Sequence, residues 1–216
     1  MIRGVIFDMD GVLLDSEPAT ALAGVRGLAE FGIHADPEDF REFCGMGEKA
    51  YFGGVAEKYG GHYSQELKDR CYDYYVRDAE KDIILFEGVP DVIRTLHARG
   101  YKIAIASGAL PIKVNTNIKA GKLPTECFDA VVTAADVEKQ KPDPEIFLKA
   151  AAGMGLEPSE CIVCEDAVSG VKGAIAGGMQ VLGITTTFPA ERLKELGATH
   201  TSNHIRKLLE LLDDGV

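Results

Sequence analysis

Hydrophobic positions follow two rhythms along this chain. Short, nearly continuous apolar runs occupy residues 2–7, 101–106, 128–133 and 161–164, and 181–184 reads as a fifth. Runs this short, without polar alternation, fit strands buried on both faces of a parallel sheet. Between them the rhythm is helical. Val92, Ile93 and Leu96 precede Gly100, a helix stop. Residues 144–154 open on Pro144 and end at Gly155. Ile205, Leu208, Leu209 and Leu212 recur at i, i+3, i+4 and i+7, an amphipathic closing helix. This alternation predicts an α/β fold with a doubly wound, Rossmann-like parallel sheet.

One stretch breaks the alternation. From 16 to 82 there is no buried-strand run, only amphipathic segments such as 21–31 and 66–81, the latter carrying Leu67, Cys71, Tyr74 and Tyr75. A simple reading packs extra helices on the sheet. The favoured one makes residues 16–82 an inserted all-helical domain, with 1–15 and 83–216 forming the core. A segment of that size is near the minimum for a core of its own. The chain's 216 residues suffice for one core plus such an insertion.

Composition narrows the partners. A net charge of −11 disfavours nucleic acid and anionic membranes, because both would be repelled. No apolar run approaches the roughly 20 residues that cross a bilayer, and the run at 2–7 is too short for a signal peptide's core. Five cysteines, an odd number, suggest reduced thiols and a cytoplasmic location. Cys161 and Cys164 have C-x-x-C spacing, but three positions apart on a strand their sulfurs face opposite sides.

In an open parallel sheet, ligands bind beyond the carboxyl ends of the strands. The first, second and fourth runs are followed by Asp8-Met9-Asp10-Gly11, Ser107-Gly108 and Glu165-Asp166, and the loop after the third, before the helix at Pro144, carries Lys141-Pro142-Asp143. Converging carboxylates repel: two charges at ~4 Å cost roughly 4 kcal/mol at an effective dielectric near 20. Hard oxygen donors without imidazole or thiolate select magnesium over zinc. Lys141, Ser107 and the backbone amide of Gly108 could then hold phosphoryl oxygens. A carboxylate can be the nucleophile of phosphoryl transfer, and a second one two residues on can protonate the leaving oxygen.

The segment Asp8-Met9-Asp10-Gly11-Val12-Leu13-Leu14-Asp15-Ser16-Glu17 resembles the signature of the haloacid dehalogenase superfamily, specifically its β-phosphoglucomutase-like phosphatases. The resemblance continues through Phe86-Glu87-Gly88-Val89, Ala106-Ser107-Gly108, Lys141-Pro142-Asp143-Pro144 and Cys164-Glu165-Asp166-Ala167 with Ser169-Gly170. It implies that Asp8 is the nucleophile, Asp10 the general acid/base, and Ser107 and Lys141 the phosphate clamps. It implies a magnesium ion held by Asp8, the backbone carbonyl of Asp10, and Asp166, with Glu165 a direct ligand or one step removed. The insertion becomes a cap, hinged near 15–17, whose Gly47, Glu48 and Lys49 resemble a loop that contacts substrate.

The expected activity is hydrolysis of a small phosphorylated metabolite of the sugar or polyol class, by a monomer or weak dimer. A sugar phosphomutase is the alternative. Mutases of this family resemble one another in a cap histidine that Glu17-Pro18-Ala19-Thr20 lacks. A non-catalytic domain that binds phosphate or a protein is a further alternative. A dehalogenase is disfavoured because Asp10 is present.

Overall fold

The computed structural model describes residues 1–44 and 47–213, with Glu48 described by its backbone alone. Strand β1 (Gly4–Phe7) leads into a two-residue strand β2 (Leu14–Asp15). Helices α1 (Glu17–Ala29), α2 (Glu48–Lys58) and α3 (Gln65–Asp82) follow, with a 3₁₀ turn at Pro37–Phe43. The chain returns through β3 (Ile84–Leu85), α4 (Val89–Ala98), β4 (Lys102–Ala106), α5 (Pro111–Ala120) and β5 (Ala130–Val132). It closes with α6 (Glu145–Gly153), β6 (Cys161–Glu165), α7 (Val168–Ala176), β7 (Gln180–Ile184), α8 (Ala190–Glu195), β8 (His200–Ser202) and α9 (Lys207–Asp213).

The six-stranded parallel sheet has the order β5-β4-β1-β6-β7-β8. β1 lies inside it, and Val5, Ile6 and Phe7 are fully buried. Burying such a side chain contributes about 1.5–3 kcal/mol each. The two faces carry separate apolar clusters. Cys164 packs with Phe7 and Ile162 on one face, and Cys161 with Ile6 and Val163 on the other. The sulfurs do face opposite sides.

The five predicted strands form, four of them changed by one or two residues and the third, 128–133, shortened by three to β5. β8 was not predicted, and neither was the antiparallel pair β2–β3, with Leu14 opposite Leu85 and Asp15 opposite Ile84. That ribbon joins the sheet to the helical insertion. The insertion has its own cluster, including Leu28, Phe40, Phe52, Val55, Leu67, Cys71 and Tyr75. Phe52 and Tyr72 meet edge-on there, with centroids 6.1 Å apart at 80°. Arg26 ties α1 to α3 through Asp78 at 2.9 Å and Asp82 at 2.6 Å.

Candidate active site

β1 ends at Phe7, so Asp8 and Asp10 emerge at the sheet's carboxyl edge with buried Met9 between them. Gly11 then turns at φ +78°, and its N–H donates to the Leu14 carbonyl at 2.8 Å. Only glycine fits there. A Cβ on Gly11 would lie 2.1 Å from Asp166 Oδ2, besides being strained by the positive φ.

β6 delivers Glu165 and Asp166 beside Asp8, all three buried. One carboxylate oxygen from each lies within 4.8 Å of the others. Glu165 rests on Gly170 of α7, where a Cβ would fall 1.7 Å from Glu165 Oε1. Its Oε2 accepts the Ala167 N–H at 3.0 Å. Lys141, from the loop before α6, enters this cluster: Nζ lies 2.6 Å from Asp8 Oδ1 and 2.6 Å from Glu165 Oε1, and donates to the Ala106 carbonyl at 3.0 Å.

Ser107, at the end of β4, is buried; its N–H donates to the Val132 carbonyl at 3.0 Å. Its hydroxyl oxygen accepts the Ala109 N–H at 3.2 Å, so its proton remains available for donation. A Cβ on Gly108 would meet nothing within 4 Å, so the backbone there is open to a ligand. Asp143 Oδ1 accepts the Glu145 N–H at 3.1 Å, a structural contact at the start of α6.

Asp10 is held by Ser16 of the expected hinge and by two groups of α5 that sequence reading did not single out. Its Oδ1 accepts from the Ser16 hydroxyl and from Asn117 Nδ2, the latter at 3.2 Å, and Lys113 Nζ lies 3.2 Å from Oδ2. Lys113 and Asn117 sit one turn apart on α5, so they share a face. Tyr75, from α3 of the insertion, donates its hydroxyl to Asn117 Oδ1. Thr186 and Thr187, past β7, were also missed. Applying the strand-end rule to the fifth apolar run would have found them.

The cleft above this edge measures about 420 Å³ and is lined by Asp10, Asp15, Glu17, Phe86, Asp166 and Thr187, among others. Of the residues expected to read substrate, Gly47 precedes α2 at φ +85°. Lys49 sits with its ammonium 6.0 Å from the Tyr63 ring centroid, on the insertion itself. The Glu48 side chain, Gly45 and Met46 lie outside the described residues.

The electrostatics show unbalanced negative charge. Burial raises the Asp8 carboxyl well above its usual range; Lys141 opposes this, while Glu165 and Asp166 add to it. Burial, with Glu165, pushes Asp166 up to about 6. Burial also works against the Lys141 ammonium, but the charges of Asp8 and Glu165 overcome it and raise its pKa. Three carboxylates and one ammonium leave room for a hard cation, and the oxygen-only donor set suits magnesium.

A stability profile follows. Carboxyls raised in the folded state bind protons that the unfolded chain, with carboxyls near 4, does not bind. Their contribution is present at low pH and is lost as pH rises through the folded values, about 6 for Asp166. The carboxylates that are lowered, such as Glu145 at about 2, lose their contribution only near and below pH ~4. The metal-free protein should therefore melt higher at pH ~5 than at pH ~7. Scanning calorimetry in chelator checks this, and a lower melting temperature at pH ~5 contradicts it.

Comparison with known proteins places this geometry. The sequence pattern of haloacid dehalogenase-like hydrolases matches residues 2–178. The chain is 38% identical over 200 residues to SUPPRESSOR OF QUENCHING 1, chloroplastic, of Arabidopsis thaliana. That alignment covers 91% of this chain but only 19% of the plant protein, so the chain spans about a fifth of that relative. It is 30% identical over 181 residues to the fructose-1-phosphate phosphatase YqaB of Escherichia coli (strain K12), covering 84% of this chain and 95% of that protein. A crystal structure from Thermotoga maritima, assigned provisionally as a β-phosphoglucomutase, superposes with a TM-score of 0.84 at 26% identity over 100% of both chains. Sheet order, the helical insertion after β1 and the match across most of the sequence lead to the same place: this chain belongs to the haloacid dehalogenase-like hydrolases, in their β-phosphoglucomutase-like phosphatase subgroup.

Proposed function

We propose that this protein is a magnesium-dependent phosphatase that hydrolyses a small phosphorylated sugar or polyol through an aspartyl-phosphate on Asp8. The observation that carries the reading is Lys141 at 2.6 Å from Asp8 Oδ1, inside a cluster whose three carboxylates approach within 4.8 Å. A nucleophile, a cation for the phosphoryl oxygens and a set of metal donors are thereby within reach of one bound phosphoryl group. Magnesium would be held by Asp8, the Asp10 carbonyl and Asp166, with Glu165 alongside, and would supply charge neutralisation.

In this reading Asp8 Oδ attacks phosphorus in line while the Asp10 carboxyl gives its proton to the departing sugar oxygen. The P–O bond to the sugar breaks as the Asp8–phosphorus bond forms. Lys141, the Ser107 hydroxyl and the Gly108 amide carry the charge on the phosphoryl oxygens. Asp10, now ionised, takes a proton from a water that attacks phosphorus. Asp8 is released as carboxylate with free phosphate.

The absence of histidine from α1 supports hydrolysis over the mutase alternative. The core residues all address the phosphoryl group, so we assign substrate choice to residues 16–82, acting as a cap, with Gly47, Glu48 and Lys49 the first residues to test. Closure of such a cap would also keep bulk water from the intermediate.

The test is a hydrolysis screen across phosphorylated metabolites, in magnesium and in chelator. Turnover of sugar or polyol monophosphates, only with magnesium, is the expected result. Absence of turnover of every ester with magnesium, or full turnover in chelator, overturns the reading. Lys49→Ala should change the ranking of metabolites while leaving a small aryl phosphate unaffected, and an unchanged ranking moves the specificity residue elsewhere in the cap.

A further inference from the structure

The loop after β7 reaches sideways across the site. The sheet order sets β6 between β7 and β1, so a β7 loop that touches β1's loop must pass over the end of β6. Thr185 N–H, donating to the Ser202 carbonyl at 2.9 Å, anchors the start of this loop on β8. The Thr186 hydroxyl then donates to the Gly11 carbonyl at 2.6 Å. Thr187 donates its hydroxyl to Asp166 Oδ2, and Thr186 Oγ1 lies 3.4 Å from the same oxygen.

The two oxygens of Asp166 are thus inequivalent. Oδ2 is enclosed by the Gly11 backbone on one side, where even a methyl group would come within 2.1 Å, and by the two threonine hydroxyls on the other. Oδ1 is left as the oxygen that can turn toward a cation. A hydroxyl bound to an ionised carboxylate makes a charge-assisted bond, roughly twice as strong as a neutral one. Groups that hold a metal-binding carboxylate in this way set its orientation before the ion arrives.

We propose that Thr187 is a positioning residue for the metal site: its hydroxyl fixes Asp166 so that Oδ1 is presented to magnesium, and Thr186 latches the loop to the turn after Asp10. The assignment rests on the reading of Asp166 as a metal ligand. It gives the β7–α8 loop a part in the reaction that acts through Asp166. The loop is well placed for this, because it is anchored on the sheet and not on the cap. The metal site then stays assembled while the cap moves.

Both threonines are exposed, so replacing them opens no core cavity. Thr187→Val removes the hydroxyl at nearly constant volume, and Thr187→Ser retains it. Magnesium binding to the full chain is measured by titration calorimetry without substrate, beside the melting temperature of each metal-free variant. Expected is a Kd for magnesium about tenfold or more weaker in Thr187→Val, consistent with the 10–100-fold typical of such partners. Thr187→Ser should stay close to wild type, and all three proteins should melt alike without metal. Equal magnesium affinity in Thr187→Val and wild type overturns the assignment, as does an equal loss in the serine variant. A wild-type protein that binds no magnesium removes the metal reading itself, and this inference with it.

Discussion

Asp8→Asn is expected to lower turnover at least about a thousandfold while the metal-free protein melts no lower than wild type. The first half follows from chemistry: an amide nitrogen or oxygen is a poor nucleophile toward phosphorus, and removing a nucleophile leaves only binding and charge stabilisation. The second half follows from the surroundings of Asp8. Burial, Glu165 and Asp166 raise its carboxyl despite the Lys141 ion pair, so the ionised form is disfavoured where it stands. A neutral amide of the same shape removes that penalty, and its carbonyl oxygen can still accept from Lys141. Stability and activity should therefore move in opposite directions, which a misfolded variant cannot imitate. Steady-state rates beside thermal melts in chelator decide the matter. Retention of more than a tenth of the wild-type rate removes Asp8 from the nucleophile's role.

Much of this site was legible because the chemistry hangs on the most legible elements. β1, β4 and β6 are flanked on both sides within the sheet, so their sequences are apolar runs with abrupt ends. The residue after each end is where a parallel sheet offers its ligand positions. Asp8, Ser107 and Asp166 could be picked on that rule, and the structure brings all three to one edge. Lys141 has no strand immediately before it; it stands further along, in the loop before α6, where its charge beside the converging carboxylates picked it out and the resemblance named the same residue.

What was hidden was hidden for physical reasons. β8 pairs with β7 alone, and His200, Thr201 and Ser202 are half-buried polar residues with no apolar run to announce them. The β2–β3 ribbon has two residues per strand, too few for any periodicity. Lys113 and Asn117 are ordinary polar residues of α5 until the fold turns that face onto Asp10. Tyr75 reads as one more member of the insertion's apolar stripe, and its ring is buried there with Tyr72. Its hydroxyl, bound to Asn117, joins Ser16 in linking the insertion to Asp10's surroundings. A side chain with two such ends gives a sequence pattern only for the apolar one.

Lys141→Met should differ from Asp8→Asn in losing stability and activity together. The methionine keeps the apolar stem, which lies against Phe147 with the ammonium 4.9 Å from that ring's centroid, but it deletes the charge. Asp8 and Glu165 then face each other and Asp166 without the cation that sits 2.6 Å from both. Removing one partner of a buried pair typically costs 3–5 kcal/mol. Here protonation of Asp8, already favoured by burial, limits the loss to about 3 kcal/mol, or roughly 6–12 °C in a chain of this size. The deficit should shrink at pH ~5, where Asp8 takes up a proton more readily, and magnesium should recover part of it by replacing the missing charge. Activity should not recover. The phosphoryl oxygens lose a fixed cation, worth about 100-fold or more in rate, and a small aryl phosphate should suffer as much as any metabolite. Thermal melts at the two pH values with and without magnesium, read beside aryl phosphate hydrolysis, separate the two roles. A metal-free variant as stable as wild type at pH ~7 denies Lys141 its place as the counter-charge. Wild-type hydrolysis of the aryl phosphate denies it the phosphoryl group.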